Sequence, residues 1–399
     1  MKRTAVIILA VILCAVPAQA QELGALVDGY TFSHPTGAGL SRAELLWTPF
    51  SVSVPLGGRL AGDLSGGFAR AVVVGPSGGD ATLTSLTDTR VGVRARLAHD
   101  HLVVRAAASL PTAAETQSLA EARVMGVLAT ELLPWQTGPW TGGGGLAGSA
   151  EGSFDLAGVA FRVLGGYTRW QARHILAGDT LSYRPGDELQ VRAVADVPVS
   201  RTGVLSVLVG LRTFQADAGG GLNIFRSGTR LETFVSYAFP LGLSGSAVAY
   251  GGISRRGQGE ELYAVDFLPG IANAPSYDLV QAGFDLRIPR GRLTILPQAE
   301  IRVLRGAQGL CAGATDQGGA PVALCPSGQG WLLSAGAAVE KPLGNPEHPR
   351  FVLAPIARVR IGQVVHWGSA GSGGGTVESA SSGVIGWEVG ITARVRGSR

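Results

Sequence analysis

Two short patterns in this chain carry the spacing of known chemistry. Gly75-Pro76-Ser77-Gly78-Gly79 fits G-x-S-x-G, where a serine on a strained strand-to-helix turn serves as nucleophile, and Gly143, Gly145 and Gly148 fit G-x-G-x-x-G, where glycines admit a pyrophosphate to a helix N-terminus. Neither has the context its chemistry needs. The first lies in a Pro/Gly turn with no helix after it, and the second sits in TGGGGLAGSAEG, which opens no helix and follows no βαβ pattern. In a chain with 60 glycines both read as chance matches. His34, His99, His101, His174, His348 and His366 fall nearly all in predicted loops or turns, with no Ser or Asp set beside them by strand register. A barrel-type surface hydrolase would gather nucleophile, base and orienting group at one rim, and the sequence alone does not decide that. Cys311 and Cys325 share one Gly-rich stretch, QGLCAGATDQGGAPVALCPSG, with no His or third Cys nearby to complete a metal site. In an exported protein such a pair forms a disulfide, worth roughly 3 kcal/mol by loop closure. The expectation is a chain with no catalytic residue, no metal and no cofactor.

What remains is charge in unexpected company. Residues 88 to 110, DTRVGVRARLAHDHLVVRAAASL, hold Arg90, Arg94, Arg96 and Arg105 among Val, Leu and Ala. A soluble core would reject them. Read at period two, Thr89, Val91, Val93, Ala95 and Leu97 share one face of a strand and Arg90, Arg94 and Arg96 the other; after a turn at His99-Asp100, Leu102, Val104, Ala106, Ala108 and Leu110 continue the apolar face opposite Arg105. The pattern recurs along the chain. Leu189 to Val197 oppose Glu188, Gln190, Arg192 and Asp196, Leu205 to Leu211 oppose Arg212, and Leu231 to Phe239 oppose Arg230 and Glu232. Val280 to Ile288 oppose Asp285 and Arg287, Leu293 to Val303 oppose Glu300 and Arg302, and Leu353 to Ile361 oppose Arg358 and Arg360. In the last strand Ile385, Trp387, Val389, Ile391, Ala393 and Val395 oppose Glu388, Arg394 and Arg396.

The elements that position these charges follow from composition. Lys2 and Arg3, an apolar run from Ala5 to Val16 and Ala18-Gln19-Ala20 make residues 1–20 a secretory signal peptide, too short to span a bilayer and without the small residue before Cys14 that a lipoprotein needs. The rest is nearly balanced in charge, which points to no nucleic-acid partner. With 46% apolar residues and no second long apolar run, an exported chain must hide its greasy surface by alternation. The class that does so is all-β, a transmembrane antiparallel barrel over residues 21–399, its outer face on outer-membrane lipid and its charges in the lumen. Facing lipid, each arginine would cost roughly 2 to 4 kcal/mol at the midplane.

Short turns, such as Gly57-Gly58, His99-Asp100, Ser153 to Asp155 and Pro289 to Gly291, alternate with long links near 75 to 87, 111 to 139, 173 to 187, 217 to 228, 257 to 276, 306 to 329 and 366 to 383. Short turns belong to the periplasmic end and long loops to the outside. The count is about 16 strands if residues 22 to 33 form the first, or about 14 if they form a plug or arm. Residues 118 to 133, SLAEARVMGVLATELL, combine Ser118 and Glu121 in a capping-box pattern with helical spacing of Leu128 and Leu132. They read as one short helix over or into the barrel mouth, or as another strand with an extended loop.

The run LTDTRVGVRARL, then LVVRAAASLPT, a helix-like insert, a Gly-rich strand, VAFRVLGGYTRW and SYRPGDEL resemble the N-terminal half of the outer-membrane transporters for long-chain fatty acids and of the phenol meta-pathway type. The resemblance covers roughly residues 85 to 200. It implies passive uptake of a small hydrophobic or aromatic solute across the bacterial outer membrane. The chain departs from it in an aromatic content of 7% and in the ending RVRGSR, which lacks the terminal aromatic residue many such barrels carry. The lumen set is expected either to line the solute's path, where surplus Arg favours anionic or carboxylate-bearing solutes, or to pair across strands and fill the lumen. The second outcome would make the chain a structural or surface-interaction barrel with a disulfide-stapled loop. Oligomeric state is open.

Overall fold

The computed structural model describes residues 20–33, 41–75, 80–113, 118, 121, 124, 132–135, 143–174, 182–242, 244–261, 276–307, 328–344, 351–367 and 379–396. Twenty-one strands occur among them. The first eight are β1 (Ala20–Phe32), β2 (Arg42–Gly57), β3 (Leu60–Val74), β4 (Asp80–Leu86), β5 (Thr89–Leu97), β6 (Leu102–Leu110), β7 (Gly145–Leu156) and β8 (Val159–Trp170). There follow β9 (Tyr183–Arg184), β10 (Glu188–Pro198), β11 (Val204–Phe214), β12 (Ala216–Gly219), β13 (Leu222–Arg226), β14 (Arg230–Leu241), β15 (Gly245–Arg256) and β16 (Glu260–Glu261). The last are β17 (Tyr277–Arg290), β18 (Leu293–Ala307), β19 (Gly328–Leu343), β20 (Phe351–Trp367) and β21 (Ser379–Arg396).

Sixteen antiparallel wall strands close into a barrel, with β4 and β5 counting as one interrupted strand. Each pairs with the next in the wall, and the ring is sealed where β21 meets β1 through partners such as Glu388 with Asp28. The segment from residue 22 is therefore the first wall strand and not an arm. No helix among the described residues is long and apolar enough to cross a membrane.

Directly paired residues share a face, so one register line fixes the direction of the whole wall. Following Arg105 with Ser149, Gly166, Gln190 and Arg212 around β6, β7, β8, β10 and β11 keeps every one of them inside. The alternate positions face out. Val93, Leu146, Val163, Leu189, Phe284, Val359 and Ile385 are exposed there, an apolar surface of the kind that membrane barrels turn to lipid. On β15, β17 and β18 the band has a sharp edge: the rung Ile253, Val280, Val303 is apolar, and the next rung toward the long loops is Arg255, Asp278, Arg305.

The hairpin turns follow the backbone's demands. Ala157 and Gly158 both have positive φ, 51° and 81°, the two-residue turn whose twist matches the flanking strands. β7 thus runs on to Leu156, and Ser153 to Asp155, expected as the turn, belong to the strand; their small and acidic residues had imitated turn composition. The interruption between β4 and β5 is a bulge. Phe68 pairs with Leu86 and Ser65 with Arg90, so Gly66 and Gly67 face three residues, Thr87, Asp88 and Thr89.

Two features depart from a plain barrel. The links near 173 to 187, 217 to 228 and 257 to 276, expected only as long loops, contribute β9, β12, β13 and β16 to a second sheet in the order β16-β13-β12-β9, outside the wall. The segment between β6 and β7 turns inward. Its Ala113, Val124, Leu132 and Leu133 are buried with Tyr30, Trp47, Leu83, Leu279 and Leu332 in an apolar cluster inside the barrel.

Candidate functional site: a charged lumen beneath an inserted segment

Below the insert the lumen holds a cavity of about 1060 Å³. One side of it is apolar, with Leu26, Trp47, Pro49, Leu296, Ala338 and Ile356. The other is an arc of hydrogen-bonding groups from adjacent strands, Ser65, Arg90, Ser109, Arg105, Ser149, Thr168, Gln190 and Arg212. Glu22, Asp88, Glu188, Asp285, Arg287, Arg358, Glu388 and Arg394 complete its charged lining.

Most of the expected lumen arginines meet a carboxylate, on an adjacent strand, across an intervening one or on their own. Arg105 pairs with Glu151 at 2.9 Å, Arg212 with Glu188 at 3.2 Å, and Arg287 with Glu340 at 3.2 Å. Arg94 lies 3.7 Å from Asp63 and donates to Ser53 at 3.2 Å. Arg192 reaches Glu232 at 3.3 Å across the intervening strand, where Gly210 keeps the way clear: a Cβ there would stand 3.3 Å from Arg192 Cγ. Arg302 pairs with Glu300, and Arg394 reaches Glu340 at 3.4 Å and Glu22 at 3.6 Å. Arg230 lies over the Phe214 ring, 5.9 Å from its centroid. Arg96 projects from β5 at a level outside the cavity lining.

The densest cluster is at the seam. Arg360 is fully buried, donates to Asp28 at 2.7 Å and pairs also with Glu388, which in turn accepts from Arg358 at 2.7 Å. Above it the Tyr30 ring lies 5.5 Å from the Arg360 guanidinium carbon, and Trp135 of the insert meets Tyr30 edge to face at 4.6 Å. The insert is thus seated on an aromatic pair whose underside is a buried ion cluster. Leu132 fits over Gly330, where a Cβ would come within 2.6 Å of its Cδ2. Ser118 and Glu121 make both bonds of a capping box, with the Ser118 amide donating to Glu121 at 2.8 Å and the Glu121 amide to Ser118 Oγ at 3.3 Å. The remainder of 118 to 133 lies mostly outside the described residues.

Arg90 differs from the rest. It lines the cavity, it is exposed to it, and among the described residues it makes no ion pair and no side-chain hydrogen bond. Two residues before it, Asp88 is buried at the bulge and accepts from the amides of Ala113, at 3.4 Å, and Gly143, at 2.9 Å. Beside β4 the wall thins, because β6 ends at Leu110 opposite Thr89 and β7 begins at Gly145. Leu86, Leu110 and Leu146 are exposed on the outer face around that place.

Sequence reading missed Glu22, Asp28 and Tyr30, although E-L-G-A-L-V-D-G-Y alternates like the other strands and would have shown them at period two. It also missed the apolar wall, because Leu26, Trp47 and Ile356 point inward against the polar-inside rule. Gly145 and Gly148 of the G-x-G-x-x-G match lie on β7. His99 is in the turn after β5, His101 Nδ1 lies 3.2 Å from the Ser153 carbonyl, and His366 is on β20. Cys311, Cys325, residues 1–19, His34, His348 and most of the G-x-S-x-G match lie outside the described residues.

No family model matches the chain. No curated protein matches it either. Among solved structures it is similar to a bacterial polysaccharide outer membrane secretin, at 10% identity over 94% of this chain and 98% of that one, with a TM-score of 0.43. It is similar to OpdQ of Pseudomonas aeruginosa at 10% identity over 94% and 97%, TM-score 0.45. A FadL homologue of the same organism matches at 10% identity over 95% and 90%, TM-score 0.42. These likenesses are slight, and the barrel stands on the closed pairing of this chain's own strands.

Proposed function

We propose that this protein is a passive channel of the bacterial outer membrane, exported by residues 1–20, that admits a small solute with an apolar or aromatic body and an acidic group. The observation that carries this reading is Arg90. In a lumen where carboxylates answer most of the arginines, it stands exposed in the cavity without one among the described residues, on the hydrogen-bonding arc and across from the apolar wall of Leu26, Trp47 and Ile356. A fixed cation in a low-dielectric cleft draws anions, and the apolar side takes up the rest of the molecule. The thin wall beside β4, ringed outside by Leu86, Leu110 and Leu146, offers such a solute a way toward the apolar band.

The test is planar-bilayer conductance in a salt gradient. The wild-type channel is expected to prefer anions, and Arg90→Glu to reverse or abolish that preference while leaving the folded barrel intact. An unchanged reversal potential in Arg90→Glu removes the Arg90 site. The insert seated on Tyr30 favours a second reading, an occluded structural barrel, and that reading wins if no form conducts.

A further inference from the structure

Arg90 has a counterpart of opposite sign. The carboxylates in the cavity lining are Glu22, Asp88, Glu188, Asp285 and Glu388. Glu22, Glu188 and Glu388 meet Arg394, Arg212 and Arg358, and Asp88 accepts from backbone amides. Asp285 has no such partner: it is exposed to the cavity and makes no ion pair and no side-chain hydrogen bond among the described residues. Beside it in the register stand Val248 on β15 and Gln298 on β18, neither of them charged. The charges that act on it, Arg358 and Glu300, are engaged elsewhere. Arg358 is held by Glu388 at 2.7 Å, and Glu300 by Arg302 and by the Tyr250 hydroxyl at 3.0 Å.

The two unanswered charges stand on opposite sides of the ring. From β5, which carries Arg90, the wall reaches β17, which carries Asp285, through β6, β7, β8, β10, β11, β14 and β15. The other way it passes β3, β2, β1, β21, β20, β19 and β18, again seven strands. The two ways differ in character. Trp47, Leu26, Ile356 and Leu296 project from the second, and the hydrogen-bonding arc from Ser109 to Arg212 from the first. Opposed fixed charges set a field across the cavity. A solute carrying both signs is turned by that field, whereas a simple anion is drawn by Arg90 and repelled by Asp285.

We infer that the cavity selects zwitterionic solutes, with the acidic group toward Arg90, an amino group toward Asp285 and the apolar body along Trp47, Ile356 and Leu296. Gln298, next to Asp285, adds an amide oxygen as a second acceptor for the amine. The inference rests on the channel reading and adds to it the amine, together with a reason for simple organic anions to be disfavoured.

Uptake into proteoliposomes tests it. Full-length protein in phosphatidylcholine vesicles is given L-phenylalanine or 3-phenylpropionate, the same acid without its amine, at neutral pH, with protein-free vesicles as the blank. The wild type is expected to take up phenylalanine about threefold faster or more. Asp285→Asn is expected to lower the phenylalanine rate about threefold and to raise that of 3-phenylpropionate, since the repelling carboxylate is gone. Arg90→Gln is expected to lower both. Heat-modifiable gel mobility confirms that each variant is a folded barrel, and Asp285→Ser takes the place of Asp285→Asn if the latter does not fold. An equal or faster wild-type rate for 3-phenylpropionate overturns the zwitterion site and leaves the channel standing, and so does a fall of both rates by the same factor in Asp285→Asn. Uptake of neither solute by any folded form removes the channel and this inference with it.

Discussion

Arg360 and Arg42 carry the same charge and differ in what water does for them. Arg42 pairs with Glu44 on the outer face, with its side chain 55% exposed, so solvent and salt already screen it. Arg360 has no exposure, and among the described residues its ion-pair partners are Asp28 and Glu388, from the first and last strands of the ring. Removing one partner of a buried ion cluster strands the others, which is why it costs more than the cluster contributes. Arg360→Met is expected to destabilise the folded barrel by about 3 to 5 kcal/mol, by removing the buried cation that Asp28 and Glu388 share at the seam. Arg42→Met should stay within about 1 kcal/mol of wild type. Urea titration of the refolded protein, followed by gel mobility, measures both. Equal effects would show that the seam cluster is hydrated from the lumen and holds nothing closed.

At the scale of elements, the outer sheet β16-β13-β12-β9 is held by Asp217. It accepts from the Tyr183 hydroxyl at 2.6 Å and from the Gly186 amide at 2.6 Å. Burial is the larger influence and raises its pKa above the ordinary 3.8, while those two bonds and the charge of Arg256 pull it down. A folded-state value above the unfolded one means that folding takes up a proton there. The contribution is full below the ordinary carboxylate range and lost as pH rises through the raised value. Amide exchange at Gly186 and Phe225, corrected for intrinsic rate, should therefore show protection that falls as pH rises from about 4, and Asp217→Asn should flatten that profile. Protection that grows with pH in the wild type would reverse the assignment. None of this sheet was legible in the sequence, because strands of two to five residues are shorter than one reading of a period. The wall was legible for the opposite reason: nine or more residues of strict alternation leave one arrangement that keeps arginines from lipid. Within the candidate site, that alternation placed Arg90, Arg105, Arg212 and Arg358 on the inner face. The partners that Arg360 and Arg394 find on β1, the apolar wall and the insert's seat depend on which strands meet around a closed ring, and no local pattern carries that. The bulge at Thr87 and Asp88 adds one residue to one strand, and period two cannot register it.

The whole molecule is a surface turned outside in, and β15, β17 and β18 show where its two solvents meet. The rung Arg255, Asp278, Arg305 faces outward at the long-loop edge, with Arg255 Nε 3.7 Å from Asp278. One rung lower stand Ile253, Val280 and Val303; two rungs below that, Phe284 is exposed on the outer face between Ala249 and Ala299. If this face lies against hydrocarbon, the cost of a charge must depend on depth along one strand. Phe284→Arg, deep in the band, is expected to cost about 2 to 4 kcal/mol of folding into lipid bilayers, whereas Asp278→Asn at the edge should cost no more than about 1 kcal/mol. Both substitutions sit on β17 and leave its lumen face untouched, so a change in the interior cannot account for the difference. Refolding of urea-unfolded protein into phosphatidylcholine vesicles of fixed thickness gives both numbers. A Phe284→Arg cost no greater than that of Asp278→Asn would mean that water, not lipid, wets this face, and the membrane reading of the whole barrel would fall with it.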